Sequence, residues 1–209
     1  MDQQKRHKRL RLLINKLNKE RKRQAKQIDI LCNDFIAAQR DFIDKLNIIS
    51  FTATFYESIL GTGDLGRVLH TASKLIREEI ADANVTFFLH QAESFELHMF
   101  ESEKPITLEK NRLENYFTAD LVGQISTSNK LCTLEDMFTM GLQGNLVGLS
   151  QISAVTIPLG ELGRSLGFIL IYRSSKNRLR ADELSRIGAV KSGLSRAIQA
   201  CQMLLHSTD

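Results

Sequence analysis

The first 60 residues contain neither glycine nor proline, while all twelve glycines and both prolines (Pro105 and Pro158) come later. So long a stretch without a helix breaker predicts one continuous helix. Leu10, Leu13 and Leu17 step by three and four residues. Ile28, Leu31, Phe35, Ala38 and Phe42 do the same, continuing through Leu46 and Ile49. Alternating steps of three and four lay one apolar seam along a helix, the pattern of a coiled coil. Leu17 and Ile28 stand 11 residues apart with Arg21 and Gln24 between them, which reads as a stutter that locally unwinds the supercoil. The expectation is a basic helical arm over 1–27 and a coiled-coil helix over 28–60. Ile28, Leu31, Phe35, Phe42 and Ile49 would form a parallel homodimer interface, because each large apolar side chain gains about 1.5–3 kcal/mol on burial. Cover by the C-terminal helix of the same chain is the rival arrangement.

Charge is distributed as unevenly as the helix breakers. Residues 1–26 hold eleven Lys/Arg against Asp2 and Glu20, a net of +9 in a chain that totals +4. The other 183 residues therefore carry −5. Lys5, Arg6, Lys8, Arg9, Arg11, Arg21, Lys22 and Arg23 are the candidate polyanion contacts. Three readings of them stay open: a solvated coiled-coil face, an anionic protein or membrane surface, and nucleic acid bound through its phosphates. The segment has no aromatic residue for base stacking and no helix-turn-helix pattern. Composition (43% hydrophobic, 25% charged) excludes a wholly disordered chain. The apolar runs, of which 168–172 is typical, fall far short of a membrane span. No apolar signal region follows the basic start. Cys32, Cys132 and Cys201 are odd in number and widely spaced, so they read as reduced thiols in a cytoplasmic protein.

After residue 60 the pattern changes. Gly61-Thr62-Gly63 ends the long helix, and Asp64 is placed to cap a second, amphipathic one. Residues 85–90 and 95–100 read as strands joined by a turn at 91–94. Residues 101–150 are irregular, with a helix near 113–126, an extended piece at 131–134 and a glycine-punctuated stretch at 137–149. A second hairpin spans 153–159 and 165–173 around Gly160-Glu161-Leu162-Gly163. Residues 167–172 are apolar almost throughout, so both faces of that strand are buried and helices must cover both sides of the sheet. A last helix runs from Asp182 with apolar residues every three or four positions. The fold class is α+β: an antiparallel sheet flanked by helices over 61–209, preceded by the long helix.

Little in this domain assembles catalytic chemistry. His90 and His98 lie on the two strands of the first hairpin, where they could approach as a ligand pair, but no third ligand accompanies them. Gly61-x-Gly63-x-x-Gly66 matches a nucleotide-binding loop by letter and lacks the strand such a loop needs before it. Cys132 reads as a buried small hydrophobe, and Cys201 sits on the apolar stripe of the last helix. Glu135-Asp136 and Asp182-Glu183 are acids at helix starts. No nucleophile stands with a base, no metal set is present, and no cofactor is named by these residues.

One family does share the pattern. Residues 152–172, reading ISAVTIPLGELGRSLGFILIY, followed by LRADEL at 179–184, resemble the closing segment of GAF domains. ADLVGQISTSNK at 119–130 with Leu134-Glu135-Asp136 is similar to a second GAF segment. The resemblance covers about two-thirds of the chain and implies a small-molecule sensing and dimerisation module; the missing nucleophile–base and metal sets add the expectation of no enzymatic activity. It departs from cyclic-nucleotide-binding members: Lys176 and Asp182-Glu183 have counterparts, while Ser175 and Leu179 stand where Asn and Phe would. A cysteine in a bilin-attachment context is also missing, and the expectation is a module without a cyclase, kinase, phosphatase or DNA-binding output domain. The implied ligand site lies on one face of the sheet and its irregular cover: Phe88, His90, His98, Leu121, Asp136, Met140, Asn145, Ser153 and Thr156. The alternatives are a ligand-free coiled-coil scaffold for a protein partner, and a nucleic-acid-associated regulator working through the basic arm.

Overall fold

The computed structural model describes residues 2–91, 94–102, 113–128, 130–144, 146–161 and 164–206. It divides into two units, Met1–Asn47 and Ile48–Asp209. Helix α1 (Asp2–Ile59) begins in the first and ends in the second. The long helix expected from the missing breakers is there, uninterrupted over 58 residues.

In the first unit every described side chain from Gln3 to Asn47 is exposed. The continuous helix corrects one detail of the seam. Steps of four and three from Leu10 pass through Ile14, Leu17, Arg21, Gln24, Ile28, Leu31, Phe35, Ala38, Phe42, Lys45 and Ile49 without a break. The gap between Leu17 and Ile28 is one heptad plus one regular step, so there is no stutter. Ile14, rather than Leu13, holds the seam, and Lys45 rather than Leu46.

In the second unit five strands make one antiparallel sheet: β1 (Asn84–Gln91), β2 (Ser94–Phe100), β3 (Cys132–Thr133), β4 (Ile152–Glu161) and β5 (Arg164–Ser174), in the order β2-β1-β5-β4-β3. The central strand β5 is buried from Leu166 to Arg173, as its apolar run requires. Odd residues of β1 (Val85, Phe87, Leu89) face one layer, made of α2 (Leu65–Glu79), α6 (Ala181–His206) and the end of α1. Phe55 and Ile59 of α1 are buried in that layer with Val68, Leu69 and Ile76 of α2 and Val190, Leu194 and Ile198 of α6. Phe88 faces the opposite layer, built from short pieces: a 3-10 turn (Leu113–Tyr116), α3 (Ala119–Thr127), α4 (Leu134–Thr139) and α5 (Leu146–Leu149). Both faces are covered, as the sequence demanded.

Local chemistry sets the ends. Asp64 caps α2 by accepting from the Gly66 and Arg67 amides at 2.8 and 3.4 Å. The single helix expected near 113–126 is two elements, because Thr118 turns extended there and caps α3 from its N-terminus. The extended piece at 131–134 shortens to β3, whose Thr133 already caps α4. The tips of both hairpins include residues outside the described set.

Candidate functional site

Phe88, Leu121, Met140 and Thr156 come together on the side of the sheet covered by α3, α4 and α5. Phe88 is stacked on Phe168 of the neighbouring strand, with centroids 4.5 Å apart and planes at 16°. Phe117 closes over both rings at 5.1 and 6.0 Å. Leu121, Val122 and Ile125 of α3 fill the space beside them, with Met137 of α4 and Cys132 of β3. Met140 packs at the edge of this cluster. His90 stands exposed at the rim, its ring 4.2 Å from that of Phe95.

Polar groups in this layer are few and deeply placed. Thr156 is fully buried and its hydroxyl has no hydrogen-bond partner among the described residues. Ser126 of α3, 3% exposed, is in the same state. Glu114, also buried, accepts from the Thr86 hydroxyl at 2.5 Å and from the Tyr172 hydroxyl at 3.1 and 3.2 Å. Sequence reasoning missed this trio. Glu114 and Tyr172 are 58 residues apart, and no local pattern joins them.

Three expected members do not join this buried cluster. His98 pairs with Phe87, so it lies on the α2–α6 side, with Nε2 3.3 Å from Glu96. His90 pairs with Phe95, and the two histidines point to opposite faces, which removes them as a ligand pair. Ser153 pairs with Arg173 and is also on the α2–α6 side, where its hydroxyl accepts from the Leu179 amide at 3.1 Å. Asp136 is exposed and engaged in a capping box: its Oδ2 accepts from the Thr133 amide and hydroxyl, both at 2.7 Å, while the Asp136 amide donates to the Thr133 hydroxyl. Asn145 lies outside the described residues.

The capping box has a pH signature. The Thr133 hydroxyl, then its amide, hold the Asp136 carboxyl below its ordinary 3.8, with Lys130 adding to them. A depressed carboxylate contributes stability above its unfolded value and loses it as pH falls through the folded one. Thr133→Ala is therefore expected to cost about 1 kcal/mol at neutral pH. Denaturant unfolding should show that difference narrowing once the pH falls below 3.8.

Among the described residues no group of three His, Cys, Asp or Glu side chains could hold a metal. Cys132 is buried with its Sγ 3.3 Å from Ser128 Oγ, and burial pushes the Cys201 thiol up, with Asp64 adding to it. No described helix is long and apolar enough to cross a membrane.

The other candidate groups are on α1. Ile28, Leu31, Phe35, Phe42 and Ile49 are 59–66% exposed. The proposed polyanion contacts Lys5, Arg6, Lys8, Arg9, Arg11, Arg21, Lys22 and Arg23 are all exposed as well.

No family model matches the sequence, and no curated protein matches it either. Solved structures do match, and the fold they share with this chain is that of GAF domains. The GAF domain of a phosphoenolpyruvate-protein phosphotransferase from Coxiella burnetii aligns with a TM-score of 0.55 at 13% identity, over 77% of this chain and 98% of that one. A GAF domain/HD domain protein from Geobacter sulfurreducens aligns at 0.53 and 14%, over 69% and 98%. Free methionine-R-sulfoxide reductase from Neisseria meningitidis, in complex with its substrate, aligns at 0.52 and 14%, over 75% and 91%.

Proposed function

We propose that this chain is a non-enzymatic signalling module. Its GAF-fold unit receives a small molecule between the sheet and the α3–α5 cover, and its α1 seam pairs two copies in parallel and carries the response to a protein partner. The observation that carries the sensing part is the Thr156 hydroxyl, fully buried without a described partner. A buried hydroxyl left unpaired costs about 1–3 kcal/mol, and a polar ligand group bonded to it would recover that loss. The neighbouring aromatic stack of Phe88, Phe117 and Phe168 suits a ligand with a flat apolar part. A solved structure of similar fold carries bound biliverdin IXa, which supports reading this fold as one that can receive a small molecule. Three free thiols among the described residues agree with a cytoplasmic setting.

The test is Thr156→Val. The replacement keeps the shape and removes the orphan hydroxyl, so the ligand-free variant should be more stable than wild type by about 1 kcal/mol. Thermal shifts that a panel of small metabolites produces in wild type should disappear in the variant. A variant less stable than wild type would mean the hydroxyl is already satisfied, and the sensing assignment would fall.

A further inference from the structure

The eleven cations of residues 1–26 are not spread around α1. Arg9, Lys16 and Arg23 repeat every seven residues. Lys5, Lys19 and Lys26 form a neighbouring column, and Lys8 and Lys22 stand beside them. At 3.6 residues per turn these three columns fall on the side of the helix directly away from the Leu10, Ile14, Leu17 and Ile28 seam. Eight of the eleven cations are thus on one face. Lys16, Lys19, Lys22, Arg23 and Lys26 border a single shallow hollow together with Glu20. Among the described residues none of these cations has a carboxylate partner within ion-pair distance. We infer that this ribbon binds the phosphate backbone of a nucleic acid, without sequence preference, on a face that dimerisation through the seam leaves free.

Geometry favours a nucleic acid over a lipid surface. A helix lying in a bilayer interface buries its apolar stripe and keeps its cations beside it at headgroup level. Here the cations point away from the stripe, so inserting one lifts the other off the surface. Residues 1–34 also contain no aromatic anchor, which interfacial segments favour. The same lack excludes base stacking and leaves phosphates as the contacts. Residues 5–26 extend roughly 32 Å at 1.5 Å per residue, close to the ~34 Å of one duplex turn. Lysine predominates on the ribbon, six of the eight, and a flexible point charge suits unspecific phosphate contact better than base recognition. The remaining −5 of the chain would hold the body away from the polyanion, so contact is confined to the ribbon. This inference does not depend on the sensing role proposed above.

The experiment uses the full chain and a fluorescent duplex of about 20 base pairs, two helical turns, followed by anisotropy across a salt series. Wild type should bind two unrelated sequences equally, and log K should fall linearly with log salt. Replacing Lys16, Lys19, Lys22 and Lys26 together by Gln keeps good helix formers in place. It should reduce the salt slope by about 3 to 4 and weaken binding at least ~100-fold at low salt. Circular dichroism and sedimentation of the variant should match wild type. An unchanged slope, or no duplex binding by wild type at about 50 mM salt, overturns the inference. So does binding to phosphatidylserine vesicles that excess duplex does not compete away, which would give the ribbon to a lipid surface.

Discussion

Gly167→Ala is expected to cost the GAF-fold unit about 3 kcal/mol or more. Gly167 is buried at the centre of the sheet, paired with Leu89 on one side and Leu159 on the other. Its φ of +125° is a conformation that side-chain-bearing residues rarely adopt. An added Cβ would overlap the Phe88 carbonyl oxygen and stand 2.9 Å from its carbon. Relief requires β1 and β5 to separate where Phe88 stacks on Phe168, so the damage reaches the candidate ligand layer directly. Urea unfolding of the variant should show a much lower midpoint with an unchanged slope. A loss under about 1 kcal/mol would mean that the strands adjust easily there.

The second large effect belongs to Arg173. This side chain is 2% exposed and donates to Glu183 at 2.6 Å, to the Arg178 carbonyl at 2.7 Å and to the Ala81 carbonyl at 3.3 Å. It thereby ties the end of β5 to the turn after α2, to the β5–α6 loop and to the start of α6. Arg186 adds a second link between α6 and α2 through Glu79. Removing one partner of a buried ion pair leaves an uncompensated charge, so Arg173→Met should cost about 3–5 kcal/mol. Adding Glu183→Leu should return part of that loss, since the stranded carboxylate is gone. Equal losses in the single and double variants would assign the cost to packing rather than to charge.

Much of the architecture was legible because its signals are local. Missing helix breakers gave α1, alternation gave the first hairpin, a continuous apolar run around a glycine-bounded turn gave the second, and Asp64 announced the start of α2. The resemblance to GAF domains rests on turn and packing residues, which are what a shared fold preserves. Long-range chemistry was not legible: Glu114 meets Tyr172, and Arg173 meets Glu183, only after the sheet and helices have assembled. The site reading erred where a face had to be assigned across strands. Alternation within β2 cannot say which face is which, yet a turn pairing Gln91 with Ser94 already sets His98 opposite Phe87. Asp136 carried its own signal too, since Thr133-x-x-Asp136 follows the spacing of a capping box. The seam was misread for a related reason. Leu13 is the more conspicuous apolar residue after Leu10, but only Ile14 continues the register through Arg21 and Gln24.

That register bears on the central claim, which is that α1 exists to pair two copies. Leu10, Ile14, Leu17, Ile28, Leu31, Phe35, Phe42 and Ile49 lie on one continuous line and are 49–66% exposed in the single chain. Side chains of this size gain about 1.5–3 kcal/mol each on burial, and on that ground we propose a second copy of the seam as their cover. The direct measurement is sedimentation equilibrium of the full chain at micromolar concentration, beside Leu31→Asp/Phe35→Asp. Wild type should sediment at twice the chain mass of 23.7 kDa. The double variant should sediment at the single-chain mass, with the melting of the GAF-fold unit nearly unchanged. A wild-type chain that stays monomeric, or a double variant that still pairs, would contradict the seam as the interface and leave the proposed module without its means of transmission.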